Sequence, residues 1–241
     1  MSTRPTALVT GAGRGIGRAC ARALGALGWR LALFSRDKRQ LEAVAVGLPG
    51  GGHRAIAADL VEESGRLELF EAFDADPPDV IVQCLGGRIS SEAADPWREA
   101  MQLNFHAVVA IDEHFLPKMI ERGSGTIVHL SSSAAVHGRA SAPYCCAKAA
   151  LNRYIVDRGR ACLPRGVICS GLMPAAVEGD DNYWARKKIT DPARYRGMSQ
   201  GQAFGRAQTT DEIAAVVAHM CSPAGKVYGG CVISVDAGAA G

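Results

Sequence analysis

The sequence predicts an α/β fold, a doubly wound parallel sheet of about seven strands with helices on both faces. Three observations carry that expectation. Short apolar runs alternate with longer amphipathic stretches along the chain. That alternation implies right-handed βαβ units, whose parallel strands are covered on both faces. The first apolar run also passes through a glycine-rich turn directly into a helical stretch.

In order, residues 7–10 read as a strand and 17–27 as a helix stopped by Gly28. Residues 30–34 form a second strand, and 39–46 a second helix that ends in the Pro-Gly-Gly-Gly loop 49–52. Strands follow at 54–57 and, after the Pro77-Pro78 turn, at 80–82. Residues 95–116 read as one long helix or a bent pair, 126–130 as a strand and 143–161 as another long helix. The strand 167–172, the helix 211–220 and the strand 231–235 complete the pattern. No repeat, low-complexity tract or linker interrupts it, so one domain over 1–241 is expected.

Bulk properties exclude several function classes. With 48% hydrophobic and 21% charged residues the chain has an ordinary globular composition. The net charge of +3 is not gathered into any run, which argues against a nucleic-acid partner. No apolar stretch is long enough to span a membrane, and a strand so near the N-terminus leaves no room for a signal peptide. A cytoplasmic protein is therefore expected. The eight cysteines form no CxxC pair and no disulfide or zinc framework, so free thiols are expected. The six histidines show no metal-binding spacing.

The turn at 10–17 reads Thr-Gly-Ala-Gly-Arg-Gly-Ile-Gly. Glycines there permit a tight turn and let the backbone approach a pyrophosphate. The helix N-terminus then offers free N–H groups and the positive end of its dipole to the anion. The candidate contacts are Gly11, Arg14, Gly15, Ile16 and Gly17. The second strand ends Phe34-Ser35-Arg36, where an NAD site would place an acid against the ribose hydroxyls. Arg36 and Arg14 would instead pair with a 2′-phosphate, which favours NADP(H). Asp37 follows, and would reach the ribose if the strand register were shifted by two.

Tyr144-Cys145-Cys146-Ala147-Lys148 opens a helix, with Pro143 near its first turn. Residues i and i+4 share a helix face, so the phenol and the ammonium point into one space. A free tyrosine titrates near 10 and is a poor base at neutrality. A nearby ammonium and an oxidised nicotinamide would both favour the phenolate. Tyr144 can then exchange a proton with a carbonyl oxygen while hydride moves at the adjacent carbon. The strand before it runs into Ser131-Ser132-Ser133, and a strand-end serine can align the substrate oxygen. Asn104 lies inside the preceding long helix, where an amide costs helix propensity unless a kink or bound water gives it a role.

Together these motifs resemble the short-chain dehydrogenase/reductase family, and the resemblance extends over nearly the whole chain. It implies a Rossmann-like fold, a nicotinamide cofactor and a homotetramer or homodimer. It implies that Tyr144 is the acid/base and that Lys148 lowers the tyrosine pKa and holds the nicotinamide ribose. Ser132 would orient the carbonyl, with Ser131 a fallback because the segment to Tyr144 is about one residue short of the family's common form. Asn104 would anchor a proton-relaying water. Ser35 and Arg36 would hold the adenosine end beside the adenine-contacting pair Asp59-Leu60. Cys84, Leu85, Gly86 and Pro174 would line the cofactor, and Val177 would contact its carboxamide. Two departures stand out. The family's Asn-Asn-Ala-Gly is Gln83-Cys84-Leu85-Gly86 here, and its Pro-Gly is Pro174-Ala175.

Residues 177–208 are expected to form a substrate lid carrying Glu178, Asp180, Asp181, Tyr183, Trp184, Arg186, Lys187 and Lys188. Arg88, His137 and Arg139 complete the expected walls. Such a pocket suits a sugar derivative or an acyl thioester, reduced from ketone to secondary alcohol or oxidised in reverse. Two other readings compete. A hydrolase built on Ser132, His129 and His137 lacks a Gly-x-Ser-x-Gly elbow and leaves the glycine turn unexplained. A non-catalytic NADP(H)-binding sensor would be expected to have lost one of Asn104, Ser132, Tyr144 and Lys148.

Overall fold

The structure, a computed structural model, describes residues 4–73, 76–90, 92–180 and 182–239. β1 (Thr6–Thr10), α1 (Gly15–Ala26) and β2 (Arg30–Ser35) make the first βαβ unit, and α2 (Lys38–Val46), β3 (Arg54–Ala57) and α3 (Glu63–Glu71) continue it to one edge. β4 (Val80–Gln83) returns beside β1. The chain then winds the other way through α4 (Pro96–Met101), α5 (Ala107–Arg122), β5 (Gly125–Leu130), α6 (Ala134–His137), α7 (Ala142–Cys162) and β6 (Val167–Pro174). β7 (Val177–Glu178), α8 (Tyr183–Thr190), α9 (Pro192–Gln200) and β8 (Gln208–Thr209) precede α10 (Thr210–Met220) and β9 (Val232–Val235).

Seven parallel strands form the sheet in the order β3-β2-β1-β4-β5-β6-β9, the doubly wound arrangement the sequence predicts. β4 is buried along its whole length and β1 along all but its first residue, as strands covered on both faces must be. Alternate residues of each strand enter opposite cores. Val9 and Val82 join the layer beneath α1, α2 and α10, whereas Leu8 and Ile81 join the layer with Phe115 of α5 and Leu151 of α7. Strand order reverses between β1 and β4, and the carboxyl ends diverging there open the crevice where ligands of such sheets bind.

α3 occupies the stretch between β3 and β4, where no helix was expected. Of the two readings of 95–116, the bent pair is the one found: α4, a π-helical turn at Gln102–His106, and α5, which runs past Pro117 to Arg122. The stretch 177–208, expected to form a lid, carries the helices α8 and α9 between the parallel pair of β7 and β8.

Candidate active site

The glycine turn is shaped by close backbone contacts. A β-carbon on Gly17 would lie 2.2 Å from the Gly11 carbonyl oxygen, so only glycine lets α1 start hard against β1. A β-carbon on Gly15 would meet nothing within 4 Å, because that residue faces an open cleft. Arg14 stands at the N-cap of α1, no side chain caps the helix's first N–H groups, and the first turn carries no acid. Its N–H groups are thus available to an anion, which fits a pyrophosphate.

The cleft has a volume of about 1050 Å³. Gly11, Arg14, Gly15, Ile16 and Gly17 line one wall, with Ser35 and Arg36 at the end of β2 and Asp59 and Leu60 after β3. Cys84, Leu85 and Gly86, then Ser132, Tyr144, Pro174 and Val177, line the cleft further along. At the β2 end, Arg36 stands 3.8 Å from Asp59, and Arg14, Lys38 and Arg39 line the same end. The Ser35 hydroxyl is buried there without a hydrogen-bond partner, an orphaned group suited to a nucleotide oxygen. Asp37, the alternative ribose ligand, accepts the Gln40 N–H at 3.1 Å and caps α2.

The residues expected to be catalytic cluster around the start of α7. Pro143 sits in the first turn of α7, followed by Tyr144 and, one turn on, Lys148. Burial pushes the Tyr144 phenol above its ordinary value, while the neighbouring Ser132 hydroxyl and the charge of Arg88 pull it down. Ser132 is therefore the serine beside the phenol; the Ser131 hydroxyl instead turns to the Lys148 carbonyl at 3.5 Å. Lys148 donates to the Leu130 carbonyl at 2.8 Å, and burial lowers its ammonium to about 8, opposed by Cys84. It lies behind Gly86 rather than on the cleft wall: a β-carbon there would fall 3.0 Å from the Lys148 Nζ and 2.9 Å from the Asn104 Oδ1. Beside the phenol, Ser132 and Arg88 are the groups that favour the phenolate.

Asn104 sits in the π-helical turn, the kink its burial called for. Its Oδ1 accepts the Gly87 N–H at 2.9 Å, and its Nδ2 donates to the carbonyls of Gly87 at 3.0 Å and Ala100 at 3.1 Å. The amide clamps the strand-exit loop that carries Gly86 and Arg88.

A buried network replaces the support that the departure at Gln83 called into question. Gln83 accepts from the Thr10 hydroxyl at 3.1 Å and donates to Asp112 at 3.0 Å. The Thr10 hydroxyl in turn accepts the Leu85 N–H at 3.0 Å. Asp112 pairs with His129 at 2.6 Å, and the second imidazole nitrogen meets the Ser170 carbonyl at 3.0 Å. Burial opposes charge on His129, but the Asp112 carboxylate outweighs it and holds the imidazole pKa well above its usual value. Both ring nitrogens are engaged, so His129 cannot deprotonate Ser132, which removes the hydrolase reading. Sequence reasoning missed this network; its one signal was polar residues placed inside apolar runs.

At the substrate end the cleft is lined by Arg88, Tyr183, Trp184 and Arg186. The Arg88 guanidinium lies 4.6 Å over the Tyr183 ring and 6.0 Å from the Tyr144 ring. Other expected wall residues lie elsewhere. His137 and Arg139 do not line the cleft. Glu178 is held by Lys188 at 2.8 Å and by the Tyr195 hydroxyl, and with Asp180 it faces a separate cavity. Lys187 pairs with Asp191 at 3.8 Å. Asp181 lies outside the described residues. All eight cysteines are free, no group of histidine, cysteine and acidic residues among the described residues could hold a metal, and no described helix is long and apolar enough to cross a membrane.

A crevice at the strand-order reversal, a glycine-built anion turn and a half-buried Tyr-Ser pair define a dinucleotide-dependent oxidoreductase site. The short chain dehydrogenase family model matches residues 5–188, and the chain belongs to that family. It is 29% identical to galactitol 2-dehydrogenase (L-tagatose-forming) of Cereibacter sphaeroides, covering 96% of this chain and 93% of that one. It is 27% identical to gluconate 5-dehydrogenase of Gluconobacter oxydans, with the same coverage, 96% and 93%. Among solved structures, a 3-oxoacyl (acyl-carrier-protein) reductase from Agrobacterium tumefaciens C58 with NADP bound superposes with a TM-score of 0.89 at 27% identity, covering 97% and 93% of the two chains.

Proposed function

We propose that the protein is an NADP(H)-dependent carbonyl reductase, or the alcohol dehydrogenase of the reverse direction. Its substrate is a polar or anionic ketone, a sugar derivative or a 3-oxoacyl thioester. The observation that carries this reading is the Tyr144 phenol beside Ser132, in the same cleft as the glycine turn. The similarity to enzymes named for galactitol, gluconate and a 3-oxoacyl thioester supports the substrate class.

Arg14, Arg36, Lys38 and Arg39 gather at the adenosine end and give a 2′-phosphate cationic partners. Tyr144, Ser132, Pro174 and Val177 line the end that would hold a nicotinamide, which would supply or accept the hydride. In reduction, Ser132 and Tyr144 both hydrogen-bond the substrate oxygen, and Tyr144 passes its proton to the alkoxide as it forms. Lys148 and Asn104 act from behind Gly86, the lysine towards the nicotinamide ribose and phenolate, the asparagine by fixing the loop. The whole of 1–241 acts as one catalytic domain, with 177–208 as its lid. A cytoplasmic homodimer or homotetramer is the assembly the family resemblance supports.

The test is oxidation of NADPH and NADH across a panel of hydroxylated and acidic ketones. NADPH turnover that falls about 10²–10⁴-fold in Tyr144→Phe upholds the reading. NADPH binding with no turnover of any member, and no change on Tyr144→Phe, replaces it with a non-catalytic sensor.

A further inference from the structure

Arg88 lines the cleft beside the Tyr144 phenol, and its place is fixed from behind. It follows Gly87, whose N–H and carbonyl are both held by the buried Asn104 at 2.9 and 3.0 Å. Its guanidinium carbon lies over the Tyr183 ring, 4.6 Å from the ring centre, and 6.0 Å from the centre of the Tyr144 ring. Four basic residues around α8 and α9 have acid partners: Arg18 with Asp180, Lys187 with Asp191, Lys188 with Glu178 and Arg206 with Glu212. Among the described residues Arg88 makes no ion pair.

We propose that Arg88, backed by Tyr183, is a carboxylate subsite, so that the substrate is a keto acid or hydroxy acid whose carboxylate lies within about two to four carbons of the reacting carbon, at about 1.5 Å per bond. The proposal rests on the reductase reading above and narrows it. Stacking on an aromatic ring covers the guanidinium face and leaves its edge N–H groups for a ligand. Those donors form a planar fork, which a carboxylate matches with two parallel hydrogen bonds. The substrate carbonyl must meet Tyr144 and Ser132, and the short span from the Tyr144 ring to Arg88 limits how far away the acid can sit.

The arrangement also links binding to proton supply. Arg88 favours the phenolate form of Tyr144. A carboxylate seated on the guanidinium neutralises that influence, and the proton stays on the phenol until the carbonyl oxygen claims it.

The test compares 5-keto-D-gluconate with L-sorbose, which differ only in a terminal carboxylate against a hydroxymethyl group. Both are assayed with NADPH in the wild type, Arg88→Met and Arg88→Lys. The expected result is a wild-type preference for the acid of at least about tenfold in kcat/KM. Arg88→Met should lose roughly 10–100-fold more on the acid than on L-sorbose, mainly through KM, with the KM for NADPH little changed. Arg88→Lys should recover part of the loss. Equal turnover of the two ketones by the wild type, or an equal loss on both in Arg88→Met, overturns the subsite and leaves the reductase reading standing. If neither ketone is reduced, calorimetric titration of the NADPH-loaded protein with 5-keto-D-gluconate decides. Saturable binding that Arg88→Met abolishes upholds the subsite while the reductase reading fails; no binding overturns the subsite.

Discussion

Asp112 and His129 meet at 2.6 Å with neither side chain exposed, and Arg206 and Glu212 meet at the same 2.6 Å with 49% and 40% of their side chains in solvent. Equal distances do not make equal interactions. Under the sheet, two charges have left water and depend on each other, on Gln83 and on the Ser170 carbonyl. Behind the lid, solvent screens the pair, and it serves chiefly to finish the capping box of α10.

Asp112→Ala should break the comparison most forcibly. It leaves the His129 imidazole buried without its counter-charge, at a cost of about 3–5 kcal/mol. For a chain of this size each kcal/mol lowers Tm by about 2–4 °C in thermal unfolding. Replacing Asp112 and His129 together with leucine should restore most of that loss, because no charge is then stranded. If the single and double variants melt alike, the pair is not coupled.

The sign of the pH dependence separates the two regions further. His129 has a raised folded pKa, so its contribution is complete below about 6.5 and is lost as pH rises through the folded value. Imidazole ¹⁵N shifts should report a protonated ring at neutrality, reverting towards neutral in Asp112→Asn. Glu212 runs the other way. Arg206 and the Thr209 N–H hold its carboxyl at about 2, so its contribution is present above about 4.3 and lost as pH falls towards 2. Acid melting curves of Glu212→Gln should be flatter over that window, with a small amplitude because the pair is screened.

Arg36 lies between the extremes, 77% exposed and 3.8 Å from Asp59. Arg36→Glu should raise the KM for NADPH roughly 10–100-fold and shift preference to NADH, with Tm unaffected. Unchanged cofactor selectivity would move the 2′-phosphate contact to Arg14, Lys38 or Arg39. The smallest effect belongs to the cap itself. Thr209→Ala should cost about 1 kcal/mol, seen as a modest fall in Tm with kcat unaltered.

The same contrast explains what the sequence made legible. The strands were readable because burial on both faces leaves continuous apolar runs such as 80–82 and 127–128. The glycine turn and the Tyr144–Lys148 spacing were readable because local geometry, one turn and one helix face, imposes them. α3 buries only Gly65 and Leu69, and α8 and α9 bury nothing among the described residues, so no apolar stripe announces them. Gln83, Asp112 and His129 are far apart in sequence and meet only once β4, α5 and β5 are assembled. Lys188 and Glu178 looked like pocket lining because composition shows charge but not which charges satisfy each other.

The π-helical turn at Gln102–His106 places one extra residue in an otherwise α-helical run. Everything after it is rotated by about 100° relative to an uninterrupted helix, at 3.6 residues per turn. That extra residue works as an insertion the chain has kept. Removing one residue from the turn is a change in reading phase: the helix can close into regular α geometry, but the faces on either side of the deletion no longer agree. If α4 stays docked, Val108, Ile111 and Asp112 swing off the core; if α5 stays docked, Asn104 leaves the Gly87 loop. A single-residue deletion scan along 98–110 should therefore yield, at this turn, either a folded chain without turnover or one that unfolds early, and no variant that keeps both.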